Sequence, residues 1–569
     1  MGHIFKFLKL IYPKFKIKFL LFLIFTLLAI TFETLSLASL IPALNILVTD
    51  SGSLFQGKTD FILEVFSKIK ILSYEYLLIS VIFGIFILKN LFLIFNQIWQ
   101  NIFTLNIERH IASRLFKNYL NKEMTFHLAT HSGTLIRNMS VEIKNISKSL
   151  SALFVMVVEI TVLLTLIGIL LYISPFVTIV SFLIIGFSGL FIIIITSNRI
   201  SFLSKNRANI DKQYNKNLVD TFNTINDIKL MNKSLFFHQL HDFLKNKYFN
   251  NSKNFAVINS FPRQLMEIII ITVIISFIIY SIKSNTSFST AITTLGFFSV
   301  VCLRLLPAIS RIIVSFQSLK FRSVSFKIIF NELTTFDSKE IFVTNKSKTK
   351  SSNLFSNHIS FKDVSFKYGE KKIFDSFNFK LTKNKFLFIY GESGAGKTTF
   401  LNLFMGLIKP SSGKIVIDEN QNLHDNLEEW RNIVSYVPQQ IYLLDENLSK
   451  NIAFGETIEE FKKDDLMNAI KFAKLDKFID ENNLLNFQVG EKGSRISGGQ
   501  LQRIGVARAL YRKPKILLLD ESTNGLDYET ERKFLEDLKE LKSELTIIFV
   551  SHREHIKNYA DEFIEIKKN

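Results

Sequence analysis

Six long apolar runs constrain this chain more than any other feature, falling at about residues 18–48, 75–104, 151–173, 175–198, 257–282 and 288–316. Each can cross about 30 Å of hydrocarbon as a helix rising about 1.5 Å per residue. Their connections are of two kinds. Residues 49–74, the corner at Ser174-Pro175 and residues 283–287 are short or modestly charged, whereas 108–150 and 198–256 are long and rich in Lys, Arg and His. Basic segments stay on the cytoplasmic side, so the long connections and both chain ends lie inside. The stretch over 150–195 is too long for one span, and the chain reverses at Pro175. The long connections mix polar and apolar residues at helical spacing and extend the membrane helices beyond the bilayer. Breaks near His131-Ser132-Gly133 and over 223–227 predict short transverse helices there, placed for contact with a second domain.

Residues 1–20 carry Lys6, Lys9, Lys14, Lys16 and Lys18 among apolar residues. This reads as an amphipathic segment on the membrane surface. The apolar run that follows exceeds a signal-peptide core and meets no small-residue cleavage site, so it is a retained first membrane helix. The chain has 69 Lys and Arg against 50 Asp and Glu, a net charge of +19. With no aromatic-interleaved basic motif, that excess follows from the cytoplasmic bias of a membrane protein, and nucleic acid is not a partner. The single cysteine, Cys302, rules out an internal disulfide or a cysteine metal cluster.

Charges inside membrane spans are costly and mark partners or water-filled cavities. Glu33, Glu159, Glu267, Arg304 and Arg311 stand within the apolar runs. Counting along the helices puts the first four about 22–24 Å from the outer face, and Arg311 about 10 Å deeper. Carboxylates and arginines then share one layer, either as a packing device or as a polar cavity for a charged head group. Pro307, between the arginines, removes a backbone donor and can bend the sixth span.

After a polar stretch over 323–353, with a flexible segment at 345–353, the pattern changes. Residues 386–390 are a buried strand, followed by Gly391-Glu392-Ser393-Gly394-Ala395-Gly396-Lys397-Thr398 and a helical segment from Thr399. A strand, a glycine loop and a helix form a phosphate cradle: backbone N–H groups and the helix N-terminus face phosphate oxygens. Lys397 reaches the β- and γ-phosphates, and the Thr398 hydroxyl ligates Mg²⁺. Further on, the strand 516–520 ends in Asp520-Glu521, and another, 545–550, ends at Ser551-His552. Carboxylates at the C-terminal end of a parallel strand suit a Mg²⁺-side ligand (Asp520) and a base that polarises water (Glu521). His552 stands where it can contact a γ-phosphate. Tyr368, after an apolar strand, is an aromatic suited to stacking on adenine.

The order and spacing of these elements resemble the nucleotide-binding domain of ABC transporters over residues 355–566. The resemblance implies that Tyr368 stacks on adenine and that Gly391 through Thr399 hold the phosphates of ATP. It implies that Gln439 senses Mg²⁺ and that Ser497, Gly498, Gly499 and Gln500 cap ATP on the opposite subunit. It further implies that Asp520 supports Mg²⁺, Glu521 is the general base, Asp527 bridges a dimer and His552 positions the γ-phosphate. Departures are small: Ile496 opens the signature where Leu is usual, Asn524-Gly525-Leu526-Asp527 replaces Ser-Ala-Leu-Asp, and Asn384-Lys385 replaces a glycine.

The expected architecture is multi-domain: an all-α six-helix transmembrane domain at 1–322, a linker at 323–353 and an α/β P-loop nucleotide-binding domain at 354–569. The fused arrangement is similar to exporter-type half-transporters, which implies a homodimer, with a heterodimer as the alternative. Phe32-Glu33-Thr34, Ser39-Leu40-Ile41-Pro42 and the 304–311 segment resemble flippases of lipid-linked oligosaccharides. That resemblance implies ATP-driven flipping of an amphipathic, lipid-linked substrate across a bacterial inner membrane, with the ATP-binding domain cytoplasmic. The alternatives are export of a peptide, lipid or hydrophobic drug, and, in another class, an ATP-gated channel or regulatory membrane protein.

Overall fold

The computed structural model describes residues 2–39, 74–173, 175–283, 288–334, 354–475, 486–490, 493–523 and 527–568. The connections expected over 49–73 and 284–287, the flexible segment 345–353 and residues 40–42 and 524–526 lie outside them. The chain forms two compact units, residues 1–122 with 126–341, and residues 342–569 with 123–125.

The first unit is helical: α1 (Gly2–Ala38), α2 (Tyr74–Leu120), α3 (Met124–Ala129), α4 (Ser132–Arg137), α5 (Ile143–Ile173), α6 (Pro175–Asn223), α7 (Ile225–Leu230), α8 (Ser234–Lys283), α9 (Phe288–Phe321) and α10 (Ser323–Thr334). Among the described residues, five of the long helices are apolar enough to cross a membrane. The sixth run lies on α9, which continues through Pro307 without interruption. The chain does reverse at Pro175, where α5 gives way to α6. Helices α2, α6 and α8 have 47, 49 and 50 residues. At about 1.5 Å per residue they are roughly 70–75 Å long, over twice the hydrocarbon thickness. The short helices α3, α4 and α7 sit where turns were expected.

Aromatic packing joins the helices. Phe103 of α2 stacks on Phe154 of α5 at 5.4 Å, and Phe22 of α1 meets the same ring at 4.5 Å. Phe103, Ile107, Ile111 and Leu115 bury one face at four-residue spacing, the stripe of a helix turned to a core. The first residues are amphipathic as expected, but Ile4, Phe7, Ile11 and Phe15 pack into the protein core and not against a surface. Phe7 lies edge-on to Phe326 of α10 at 5.2 Å. The helix kinks at Phe15, two residues after Pro13, where the missing N–H frees a backbone carbonyl.

The linker expected from residue 323 begins later. Ser323–Thr334 is a helix with Phe326, Ile329 and Leu333 buried in the first unit. Its three- and four-residue apolar spacing outweighs its polar composition. Ser325 of this helix, Glu142 at the end of a π-helical turn over Asn138–Glu142, and Arg207 of α6 form a buried triad. Arg207 Nη2 lies 2.9 Å from Ser325 Oγ and 3.3 Å from Glu142 Oε2, while Nη1 reaches Asp211 at 3.1 Å. The Ser325 hydroxyl also donates to Glu142. A buried carboxylate needs such partners to stay charged.

The second unit has two sheets. The antiparallel one runs β2-β1-β4-β5, from β1 (His358–Tyr368), β2 (Lys371–Thr382), β4 (Ser412–Ile417) and β5 (Gln421–Asn422). The parallel one runs β6-β7-β8-β3-β9, from β3 (Phe386–Tyr390), β6 (Val434–Val437), β7 (Ile516–Asp520), β8 (Thr546–Val550) and β9 (Glu562–Glu565). Strands β7 and β8 are buried at every residue, as a sheet covered on both faces requires. The helices are α11 (Lys397–Phe404), α12 (Leu427–Ile433), α13 (Leu448–Ile452), α14 (Lys463–Phe472), α15 (Gly498–Tyr511) and α16 (Tyr528–Leu541). Trp430 of α12 is fully buried and donates from Nε1 to the Phe404 carbonyl at 2.7 Å. Every parallel strand delivers its carboxyl end to the same edge, which is where such sheets bind ligands.

Candidate nucleotide site and intramembrane charge cluster

Strand β3 ends at the glycine loop, and the backbone there permits little but glycine. Gly391 has φ 151°, and a Cβ would stand 2.3 Å from the Ile566 carbonyl oxygen. Gly396, at φ 109°, caps α11 in a conformation that L side chains rarely adopt. Lys397 is 8 % exposed. Its ammonium donates to the carbonyls of Gly391 and Glu392 at 2.9 and 3.0 Å, which curls the loop around it. Burial pulls its pKa down, against the charges of Glu521 and Asp520.

The neighbouring strand ends complete the site. Lys397 Nζ lies 3.3 Å from His552 Nε2, which follows β8. His552 Nε2 is in turn 3.1 Å from Glu521 Oε1, at the end of β7. One ring nitrogen cannot accept from the ammonium and donate to the carboxylate together, so the two contacts serve alternative tautomers. The other carboxylate oxygen of Glu521 accepts from Gln439 Nε2 at 2.7 Å. Glu521 itself sits at φ 49°, a strained position of the kind that collects at functional sites. Asp520 Oδ2 accepts from the Tyr436 hydroxyl at 3.1 Å. Burial raises the Asp520 pKa, with Glu521 adding to the rise and Tyr436 and Lys397 opposing it. Tyr436 was not singled out from the sequence, although it lies three residues before Gln439 on β6.

The structure therefore joins Lys397, His552, Glu521 and Gln439 in one chain of contacts, with Asp520 beside them. Thr398 and Thr399 follow on α11. Tyr368 ends β1, half-buried and edge-on to Phe366 at 4.8 Å. Ser497 caps α15: its hydroxyl accepts from Gln500 N at 3.3 Å, and Gln500 Oε1 accepts from Ser497 N at 2.9 Å. Asp527 caps α16 through the Thr530 N–H at 3.1 Å. Hydrogen bonds from Thr530 hold the Asp527 pKa down. Among the described residues no hydrogen bond joins Ser497, Gly498, Gly499 or Gln500 to the glycine loop. No group of three His, Cys, Asp or Glu side chains there could hold a metal alone. Mg²⁺ is typically held by one or two carboxylates together with substrate phosphates. Buried Asp520, whose charge burial disfavours, and the Thr398 hydroxyl are suitable protein ligands.

In the first unit Glu33, Glu159, Arg304 and Arg311 converge, with a cation the sequence reading missed. Lys89 Nζ on α2 lies 3.2 Å from Glu33 Oε2. Arg304 donates through Nε to Glu33 and lies 3.5 Å from Glu159 through Nη1. Arg311 Nε reaches Glu159 Oε1 at 2.7 Å. Lys89 sits mid-run with no other charge near it in the sequence, the same signal that marked the others. Arg311 does not form a deeper, separate level. Seven residues place it on the same helix face as Arg304, and both long side chains lean onto Glu159. Glu267 does not join the cluster; its residue is exposed. The carboxylates are 4 % and 9 % exposed at their side chains, but Arg304 and Arg311 are 21 % and 46 %. Three cations against two carboxylates leave a net charge of +1, carried on the more exposed side.

Comparison with known proteins agrees with these two units. The family profile of the ABC transporter transmembrane region matches residues 17–305, and a second profile, ABC transporter, matches 374–524. An export ATP-binding/permease protein of Rickettsia felis is 37% identical over 214 residues, 37% of each chain. An ATP-dependent lipid A-core flippase of Vibrio parahaemolyticus is 35% identical over 211 residues, 37% of this chain and 36% of that one. The chain thus aligns with little more than a third of these relatives' length. A bacterial Atm1-family ABC exporter with ATP bound shares the fold at TM-score 0.78 and 19% identity, over 96% of this chain and 93% of that one. With the transmembrane profile matching over half its length and the second ABC transporter profile following it, the chain belongs to the ABC transporter family.

Proposed function

We propose that this protein is an ATP-driven exporter that moves an amphipathic, lipid-linked substrate across a bacterial inner membrane by alternating access. The observation that carries the energy-coupling half is the contact chain Lys397–His552–Glu521–Gln439 at the carboxyl edge of the parallel sheet. Two copies pair, so that each glycine loop faces the Ser497–Gly498–Gly499–Gln500 segment of its partner, and Asp527 lies along the same seam. Backbone N–H groups of 391–399 and the Lys397 ammonium hold the triphosphate, and Tyr368 stacks on adenine. Mg²⁺, held by Thr398 and Asp520 with Gln439 near it, would neutralise phosphate charge. Glu521 accepts the proton of the attacking water, and His552 steers the γ-phosphate. ATP shifts the conformational equilibrium because it binds the closed dimer more tightly than the open one.

The substrate half rests on the intramembrane cluster and on the lipid A-core flippase relatives. The guanidiniums of Arg304 and Arg311, partly and nearly half exposed, suit an anionic phosphate or pyrophosphate head group. One observation favours a second reading, export of a peptide, lipid or hydrophobic drug: both arginines already have carboxylate partners, so the cluster can serve packing alone. The test is ATPase stimulation in liposomes by polyprenyl-linked glycans, lipids and peptides. Arg311→Ala, at the more exposed of the two, abolishes stimulation by the glycans and spares basal turnover. Unchanged stimulation removes the head-group role.

A further inference from the structure

Asp520 closes β7 with one hydrogen-bond donor to its carboxylate among the described residues, the Tyr436 hydroxyl, 3.1 Å from Oδ2. The other polar groups of the site are engaged elsewhere. The Lys397 ammonium donates to the Gly391 and Glu392 carbonyls and lies against His552. Gln439 and His552 both meet Glu521. Asp520 is 6 % exposed, and a buried carboxylate depends on the donors it has.

The parallel sheet puts that donor in place. Strands β6 and β7 pair with Tyr436 beside Leu518 and Val437 beside Leu519. Side chains alternate between the faces of a sheet, so Leu518 and Asp520 share one face, about 6.6 Å apart along the strand. Tyr436 starts beside Leu518 on that face, and its hydroxyl reaches forward to Asp520. The ring packs against the apolar core that holds Phe400, Leu518 and Val550. Phe361, Phe400 and Phe404 fill the same core without a hydroxyl, so the packing does not need one. A phenol keeps its proton at neutral pH and an ionised carboxylate only accepts, so Tyr436 is the donor.

We infer that Tyr436 is a positioning residue of the metal site: its hydroxyl holds Oδ2 of Asp520, leaves Oδ1 for the cation and favours Mg²⁺ over Ca²⁺. With Oδ2 engaged, the carboxylate serves a cation through a single oxygen. Mg²⁺ demands near-ideal octahedral geometry, whereas Ca²⁺ accepts carboxylates through one oxygen or two. Hydrogen bonds to a ligating carboxylate fix its orientation, and losing one weakens metal affinity by about 10–100-fold. This role rests on Asp520 as the Mg²⁺-side carboxylate of the proposed ATP site.

The experiment measures binding of AMP-PNP, a non-hydrolysable ATP analogue, to the full chain in lipid nanodiscs in EDTA, in Mg²⁺ and in Ca²⁺. The affinity in each cation divided by that in EDTA isolates what the metal adds, and the affinity in EDTA reports separately whether the site is formed. Tyr436→Phe keeps the ring and removes the hydroxyl. It lowers the Mg²⁺ enhancement about tenfold and the Ca²⁺ enhancement by less. In the Asp520→Asn background the same change adds no further loss, because the two residues act as a unit. An unchanged Mg²⁺ enhancement in Tyr436→Phe overturns the role. So does an equal fall for both cations, which altered packing alone would produce, or the same loss repeated in the Asp520→Asn background. Wild-type protein that binds AMP-PNP equally in EDTA and in Mg²⁺ overturns the metal reading of Asp520 itself, and this role with it.

Discussion

Two carboxylate–cation clusters organise this protein, and they are built in opposite ways. At the sheet edge, Glu521 and His552 follow strand ends and Lys397 opens α11, with His552 half exposed. In the membrane unit, Glu33 and Glu159 are almost fully buried and hold Lys89, Arg304 and Arg311 from other helices. Partial exposure leaves the first cluster able to exchange its partners for phosphate, metal and water at small cost. In the second, burial of the two carboxylates makes it expensive to strip either of its partners. The first cluster is therefore expected to govern rate, and the second to govern whether the helices stay together, before any role in binding.

The largest effect separates these directly. Glu521→Gln keeps the shape and the hydrogen bond to Gln439 but removes the base. ATP turnover then falls by about 10²–10⁴-fold, while ATP stays bound and holds the dimer closed. Radiolabelled ATP retention beside a turnover assay checks both, and wild-type turnover would remove Glu521 from the base role. The same substitution moves the thermal midpoint little, because water can replace what is lost.

Glu33→Ala does the reverse. It strands Lys89, at 9 % exposure, and takes one of two carboxylates from Arg304. Breaking a buried pair from one side costs about 3–5 kcal/mol, so detergent-solubilised protein unfolds at a markedly lower temperature. The double change Glu33→Met with Lys89→Met recovers most of that loss, since two apolar groups of similar volume replace the pair. If the double variant is as unstable as the single one, the ion pair is not what Glu33 contributes.

The same contrast explains what the sequence disclosed. Asp520, Glu521 and His552 were legible because each stands at the end of a buried strand or within two residues of it, and Lys397 because it opens the helix after the glycine loop that leaves β3; the parallel sheet brings those ends together. Sequence position there determines position in space. In the membrane unit, counting residues gives depth along a helix but not the direction a side chain faces. Glu33, Glu159 and Arg304 were placed at one level and do meet. Glu267 was given the same level and points elsewhere. Arg311 was given another level and reaches in, because a guanidinium spans what the count separates. The Arg207–Glu142–Ser325 triad escaped the sequence reading because its members come from three distant segments, with separations of 118 and 183 residues. Helix α10 was read as linker on composition, although Phe326, Ile329 and Leu333 carry the spacing of a buried face.

A third carboxylate sharpens the comparison at its weak end. Asp418 follows β4 at φ 51° and accepts from the backbone N–H groups of Ser356, Asn357 and His358 at 2.9, 2.7 and 3.0 Å. Its partners are neutral backbone donors, unlike the cations around Glu33. Burial pushes its pKa up, but these three hydrogen bonds outweigh that and hold it below the usual carboxylate value. A depressed folded pKa means the stabilisation is present above the unfolded value of about 3.9 and is lost as pH falls through the folded one. Asp418 is only half-buried, so water takes up part of the loss, and Asp418→Ala costs about 0.5–1.5 kcal/mol at neutral pH. The gap in thermal midpoint between Asp418→Ala and wild type should close as pH falls below 3.9, the ordinary carboxylate value. A gap of the same size at low pH would show that Asp418 acts through its shape in the turn and not through its charge.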